Sequence, residues 1–207
     1  MTQYRKITEK IAGKLKLKEA YLFYCLALKS DFNTYQSHIK QESLAEFYGV
    51  KKTDNIREAL YKFQSCGLIR IDKTNEKGQY GKFHRCHYQL DTEHYILITN
   101  KLYSENISPE LKGFLILLKC KCLNGTNTSK FSQDRLAKEL NLSTGSISKY
   151  MKLAIDNGYI RKDEKEIHLL REDIFLITAE TPNTYLQEHF SKTKPPIKKQ
   201  DYCFILD

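Results

Sequence analysis

The sequence predicts an α+β chain, mainly α, built from two consecutive copies of one helix, turn, helix, hairpin unit. Three observations carry this. First, QESLAEFYGV (41–50) aligns with QDRLAKELNL (133–142), matching Gln41, Leu44 and Ala45 to Gln133, Leu136 and Ala137 at an offset of 92. Second, IREALYKFQSCGLIR (56–70) aligns with ISKYMKLAIDNGYIR (147–161), matching Ile56, Gly67, Ile69 and Arg70 to Ile147, Gly158, Ile160 and Arg161 at an offset of 91. Third, each copy runs on into a β-prone stretch, 68–90 in the first and 159–170 in the second. The offset changes by one residue between the blocks, at the turn VKKTDN, where an insertion is easily tolerated.

The elements follow in order. Residues 1–16 are basic and are expected as an N-terminal arm. KEAYLFYCLAL (18–28) and PELKGFLILLK (109–119) are matching apolar helices at the 91 offset. A short β-prone segment follows in each copy, with Ile39 matching Phe131. The LA-containing helix and a turn come next. In the third helix Ile56, Leu60 and Phe63 recur at i, i+4 and i+7, as do Ile147, Met151 and Ala154, giving each helix one buried stripe. Thr53 and Ser143 are placed to accept from the free first-turn N–H groups. Gly67 and Gly158 stand where a left-handed residue stops a helix. These readings divide the chain into 17–98, 99–178 and a C-terminal extension, 179–207, with a basic linker and an apolar end.

Composition narrows the function classes. Among 207 residues 41% are hydrophobic, with 14 Tyr and 10 Phe in place of Trp, enough for packed cores. No stretch is long and apolar enough to span a membrane, and the interrupted N-terminus is a poor signal peptide. Six cysteines without a secretory context read as reduced thiols in cytosol. The net charge of +9 is uneven. Residues 1–100 hold 17 Lys/Arg against 11 Asp/Glu, residues 101–190 hold 13 against 12, and the last 17 hold four against two. A basic first half suits an anionic partner.

The repeated pattern resembles the winged helix-turn-helix superfamily twice over. More closely, YILITNKLYSENISPELKGFLILLKCK followed by LAKELNLSTGSISKYMKLAIDNGYI is similar to helix-turn-helix proteins of plasmids and bacteriophages, replication initiators and regulators among them. The resemblance implies that each third helix enters a DNA major groove with its N-terminal residues at the base edges. Small hydroxyl residues there permit close approach, and free N–H groups can take a phosphate oxygen. The implied DNA-binding positions are Lys51, Lys52, Thr53, Asn55, Arg57 and Tyr61 in the first copy, and Thr144, Ser146, Ser148, Lys149 and Lys152 in the second. Arg57 suits guanine and Asn55 adenine, through paired hydrogen bonds. For Thr53 and Ser143, capping alone is an equal reading.

The hairpins differ in charge. The first, about 73–87, carries Lys73, Lys77, Lys82 and Arg85 against Glu76 alone, whereas the second holds Asp163, Glu164, Lys165 and Glu166. The first is expected to follow phosphates and the second to repel them. No metal or cofactor is expected. Cys120 with Cys122, and His84 with Cys86 and His87, lack the two-plus-two spacing of a structural zinc site. No phosphate-cradling loop or nucleophile motif supports an enzyme. The expectation is a cytoplasmic, nucleoid-associated protein that binds double-stranded DNA without catalysis. A homodimer, and a protein partner for the tail, stay open. The rival is a tandem winged-helix scaffold that binds protein partners.

Overall fold

The computed structural model describes residues 3–177 apart from 79, 80 and 124, without the side chains of 75–85. The extension at 179–207 lies outside these residues. The chain runs β1 (Tyr4–Thr8), a 3-10 turn (Glu9–Ile11), α1 (Leu17–Leu28), β2 (Gln36–Ser37), α2 (Gln41–Tyr48), α3 (Asp54–Ser65), β3 (Ile69–Gly78) and β4 (Gly81–Leu90). It continues with β5 (Tyr95–Thr99), α4 (Lys101–Ser104), α5 (Pro109–Lys119), β6 (Thr128–Ser129), α6 (Gln133–Leu140), α7 (Thr144–Asp156), β7 (Ile160–Lys162) and β8 (Ile167–Leu169). This is a mixed α+β fold with small antiparallel sheets, and no helix among the described residues is long and apolar enough to cross a membrane.

The repeat holds element by element. Helix, short strand, two helices and a hairpin recur, and the three-stranded sheets share one order, β2-β4-β3 and β6-β8-β7. Leu44 and Leu136, and Ile56 and Ile147, take equivalent places in the core, each at most 1% exposed. The third-helix stripes are buried as their spacing requires: Leu60 and Phe63 in α3, Met151 and Ala154 in α7. Gly67 and Gly158 have φ of 70° and 72°. The following amides, of Leu68 and Tyr159, reach back to Phe63 and Ala154 carbonyls at 2.9 Å, which closes both helices. The short strands fall at Gln36–Ser37 and Thr128–Ser129, just before Ile39 and Phe131, which pack on the core as partly buried residues.

The N-terminal segment departs from expectation. Residues 1–16, expected as a basic arm, contain β1, which pairs antiparallel with β5 from Tyr4↔Thr99 to Thr8↔Tyr95. Ile7, Ile11 and Leu15 recur every fourth residue and are buried. Even Arg5 is buried, its Nε donating to the Ala27 carbonyl at 3.2 Å. The apolar positions override the basic composition, because they complete a core that the first unit leaves open.

That core is shared. One continuous cluster of buried residues runs from Ile7 to Phe175 through both units. Its centre is the crossing of α1 and α5. Nearly every residue of Ala20–Ala27 and Leu111–Lys119 is buried, as expected of helices covered on all sides. The helices meet backbone to backbone at Gly113, where an added Cβ would stand 1.8 Å from the Leu17 carbonyl oxygen. Phe47 and Tyr103 stack across the units at 4.2 Å, and the Tyr103 hydroxyl donates to the Phe47 carbonyl at 3.1 Å. The connecting stretch is held as well. Asn100 N donates to the Gln3 carbonyl at 2.7 Å, Thr99 N to Ile174 at 2.9 Å, and Leu176 N to Leu97 at 3.1 Å.

Candidate nucleic-acid interface

The third helices expose one polar face each. In α3 this face carries Asp54, Arg57, Glu58, Tyr61 and Gln64, and Tyr61 is 51% exposed. In α7 it carries Thr144, Gly145, Ser148, Lys149, Lys152 and Ile155, the last 44% exposed. The buried stripe on the opposite side fixes this orientation. A salt bridge from Lys62 to Glu19 of α1, at 2.6 Å, holds α3 further. Phe114 stacks on Tyr150 at 5.9 Å between α5 and α7.

The two helix starts are built differently. Ser143 caps α7: its Oγ accepts from Ser146 N at 3.1 Å and meets the Ser146 hydroxyl at 2.8 Å. Ser146 is therefore half-buried and engaged in the cap, which leaves Thr144 and Gly145 as the open first turn. Thr53 stands at the N-cap of α3, but its backbone is already helical (φ −87°, ψ −16°) and its side chain makes no cap hydrogen bond. The expected Thr53 cap is thus absent, because a helical N-cap residue does not aim its hydroxyl at the N2 and N3 amides.

The remaining predicted positions fall as follows. Lys51, Lys52, Asn55 and Lys73 are exposed, and Thr53 is half-buried. Asn55 also borders a groove beside α5. Ser148 is exposed, with its hydroxyl 3.4 Å from Gln133 Oε1, and Lys149 Nζ lies 5.4 Å from the Tyr150 ring centroid. Lys77, Lys82 and Arg85 lie on the long β3–β4 hairpin, whose register runs from Ile69↔Leu90 to Gly78↔Gly81; their side chains are outside the described residues. In the register Lys77 is paired with Lys82, next to Gly78↔Gly81, and Thr74 with Arg85.

The second hairpin is shorter, and two of its three acids have partners. Asp163 pairs with Arg161 at 3.3 Å and with His168 at 3.0 Å, and Glu166 lies 3.7 Å from Lys130. These partners come from outside the four-residue turn. Surface pairs of this kind are worth little stability, yet the Arg161 and Lys130 cations offset part of the turn's negative charge.

One contact at the base of the first hairpin escaped the sequence reading. His38 and His87 meet edge-on with ring centroids 4.6 Å apart, and His87 Nε2 hydrogen-bonds Thr74 Oγ1 at 2.8 Å. The signal lies in the register: Ser37 pairs with Tyr88, so His38 continues opposite His87. Among the described residues no three His, Cys, Asp or Glu side chains come together to hold a metal ion. Cys120 is buried in the core, and burial pushes the Cys122 thiol up to about 12, so both behave as small apolar residues. No known family model, curated protein or solved structure matches the chain.

Proposed function

We propose that the two repeated units are winged helix-turn-helix modules and that the chain binds double-stranded DNA through α3, α7 and the β3–β4 hairpin. The observation that carries this is the twofold recurrence of a helix, strand, helix, helix, hairpin unit whose third helix turns a polar face outward, with cations on both copies. In such a unit the helix enters a major groove and the hairpin follows the backbone. Arg57 presents a fork that pairs with guanine O6 and N7, and Lys149 and Lys152 lie one turn apart along α7. Nothing in the reading requires catalysis.

The resemblance to proteins of mobile genetic elements points to replication initiation or transcription regulation. Selection of bound sites from random duplex separates the two: direct repeats indicate an initiator, an inverted repeat a dimeric repressor. Replacing Arg57 or Lys149 by Ala is expected to weaken binding to the selected site by roughly 1–3 kcal/mol where the side chain pairs with a base. Discrimination should fall at a single base position. If both variants bind the site as tightly as the unaltered chain, these helices do not read DNA.

The hairpins provide a second test. Each phosphate neutralised by a cation releases counterions, so the log–log salt slope should shallow by about 0.9 for every such cation removed. Changing Lys73, Lys77, Lys82 and Arg85 together to Ala should flatten the slope and weaken binding to all duplexes alike. Lys165→Ala should change little, because the turn Asp163–Glu166 carries three acids against this one cation. An unchanged slope in the fourfold variant would mean that the first hairpin does not touch DNA.

A second reading is a scaffold that binds protein. Tyr61 and Ile155, large and exposed on the two third helices, favour it. Duplex binding across a salt titration decides: a scaffold shows no salt-dependent affinity for random duplex.

A further inference from the structure

The two-stranded sheet of β1 and β5 has one face in the core and one outside it. Ile7, Ile96 and Ile98 belong to the large buried cluster. On the other face Leu97 forms a small separate cluster with Leu176, and Tyr4 and Tyr95 pack against the pair. Satellite clusters of this kind form beneath segments of chain that cross a surface. The aromatic surface continues sideways. Tyr4 meets Phe32 edge-on at 5.2 Å, and Lys6 Nζ lies 4.1 Å from the Tyr95 ring centroid and 5.6 Å from that of Tyr35. Tyr4, Tyr35 and Tyr95 are half-buried, and Phe32 is 41% exposed.

The chain itself arrives at this face. Phe175 bridges Ile98 in the antiparallel sense, and Leu176 N donates to the Leu97 carbonyl at 3.1 Å. Thus β5 lies between β1 and residues 174–176. The direction is also set: an antiparallel course carries each further residue along β5 toward Tyr95. Thirty residues follow Ile177. The first thirteen, TAETPNTYLQEHF (178–190), hold Tyr185, Leu186 and Phe190, and they hold Glu180 and Glu188 without a Lys or Arg. They suit a surface that is aromatic and carries Lys6.

We infer that residues 178–190 dock on the outer face of the β1–β5 sheet, with their apolar side chains on its aromatic rings and their acids toward Lys6. Length permits this, since an extended chain spans about 3.3–3.6 Å per residue and strands lie only about 4.7–4.9 Å apart. A segment tethered so near its site acts at roughly millimolar effective concentration, which a separate partner at micromolar concentration does not match. The docked segment covers β1, so the N-terminal strand and the C-terminal extension hold each other in place. The inference does not depend on what α3 and α7 bind.

The experiment places the photoreactive residue p-benzoylphenylalanine at position 95 of the full chain, irradiates it, and maps the products by mass spectrometry. The expected product joins position 95 to a peptide within 178–190. In a mixture of unlabelled and isotope-labelled chains, the joined peptides should carry the same label. Mixed pairs mean that the segment docks on a second copy, and they overturn the inference. So does a product joined elsewhere, or none. The variant Tyr185→Ala/Leu186→Ala/Phe190→Ala should lose most of the product, because the docking loses its apolar contacts while the tether is unchanged. A yield equal to the parent's means that the tether alone brings the segment near, and this too overturns the docking.

Discussion

Replacing Gly113 by Ala should destabilise the whole protein by about 3 kcal/mol or more. Ordinary overpacking of a core costs roughly 1–3 kcal/mol because neighbouring side chains can shift. Here the obstacle is backbone: the new methyl would stand 1.8 Å from the Leu17 carbonyl oxygen. Either α1 and α5 separate by an ångström or more, or one of them bends. Both responses open the core at the one place where the two units meet most closely. Against a typical total stability of about 5–15 kcal/mol, the loss is large. Because the core is continuous, urea unfolding followed by probes in each unit should shift as one transition. Gly145, with open space around its own Cβ position, is the control. Gly145→Ala in the exposed first turn of α7 should hold stability or raise it by up to about 1 kcal/mol, as Ala favours the helix. A Gly113→Ala variant within roughly 0.5 kcal/mol of the parent, as a neutral surface change would be, rules out the close crossing.

Lys119→Met should cost about 2–4 kcal/mol. Lys119 is buried near the end of α5, and its ammonium has three acceptors for its three donors: the Thr126 carbonyl at 2.7 Å, Asn127 Oδ1 at 2.6 Å and the Leu176 carbonyl at 3.0 Å. Asn127 in turn donates to the Phe175 carbonyl at 2.8 Å. The lysine thus ties the loop after α5 to the stretch that closes the second unit. Methionine fills similar space but leaves these acceptors unpaired in the interior, and each costs about 1–3 kcal/mol if water does not reach it.

The same residue gives a pH dependence with a definite sign. Burial pushes the Lys119 pKa down from 10.5 to about 8. Below about pH 8 both the folded and unfolded forms hold the proton, and folding bears the full cost of burying the charge. Between about 8 and 10.5 the folded form sheds its proton while the unfolded form keeps it. The unfolded state then binds more protons, so stability contributed at this site rises with pH. Buried tyrosines oppose this at higher pH. Tyr48 and Tyr88 are pushed up to about 12 by burial, so the unfolded chain ionises first above pH 10. The difference in stability between the parent and Lys119→Met, followed from pH 7 to 9.5, isolates the lysine. The parent's advantage should grow with pH; a flat or shrinking difference refutes the assignment.

Much of the architecture was legible because it is local. Ile56, Leu60 and Phe63 must share a face of any helix they join, and so must Ile147, Met151 and Ala154. Gly67 and Gly158 end those helices through a backbone conformation most side chains resist. The alternating, turn-bounded stretches at 68–90 and 159–170 each fold back on themselves at close range, β3 on β4 and β7 on β8. The exposed faces of α3 and α7, with Arg57, Lys149 and Lys152 on them, follow once the buried stripe is known. The recurring order of helices and strands, and the side of each third helix that meets solvent, could be read from pattern alone.

How the units stand together follows from contacts between segments far apart in the chain. The apolar helices 18–28 and 109–119 have no polar face, so their periodicity could not say what covers each side; the answer is chiefly each other. Gly113 looks like a helix-weakening residue until the Leu17 carbonyl is brought against it. Residues 1–16 read as a basic arm because charge is counted along the chain, whereas Ile7 is placed by a strand partner about ninety residues away and Ile11 and Leu15 are buried in the same core. Lys130 meets Glu166 from outside the second hairpin, a pair that the composition of the turn does not show. For α1 against α5 and for β1 against β5 the deciding interaction joins residues distant in sequence, and pattern within a short window carries no record of a partner outside it.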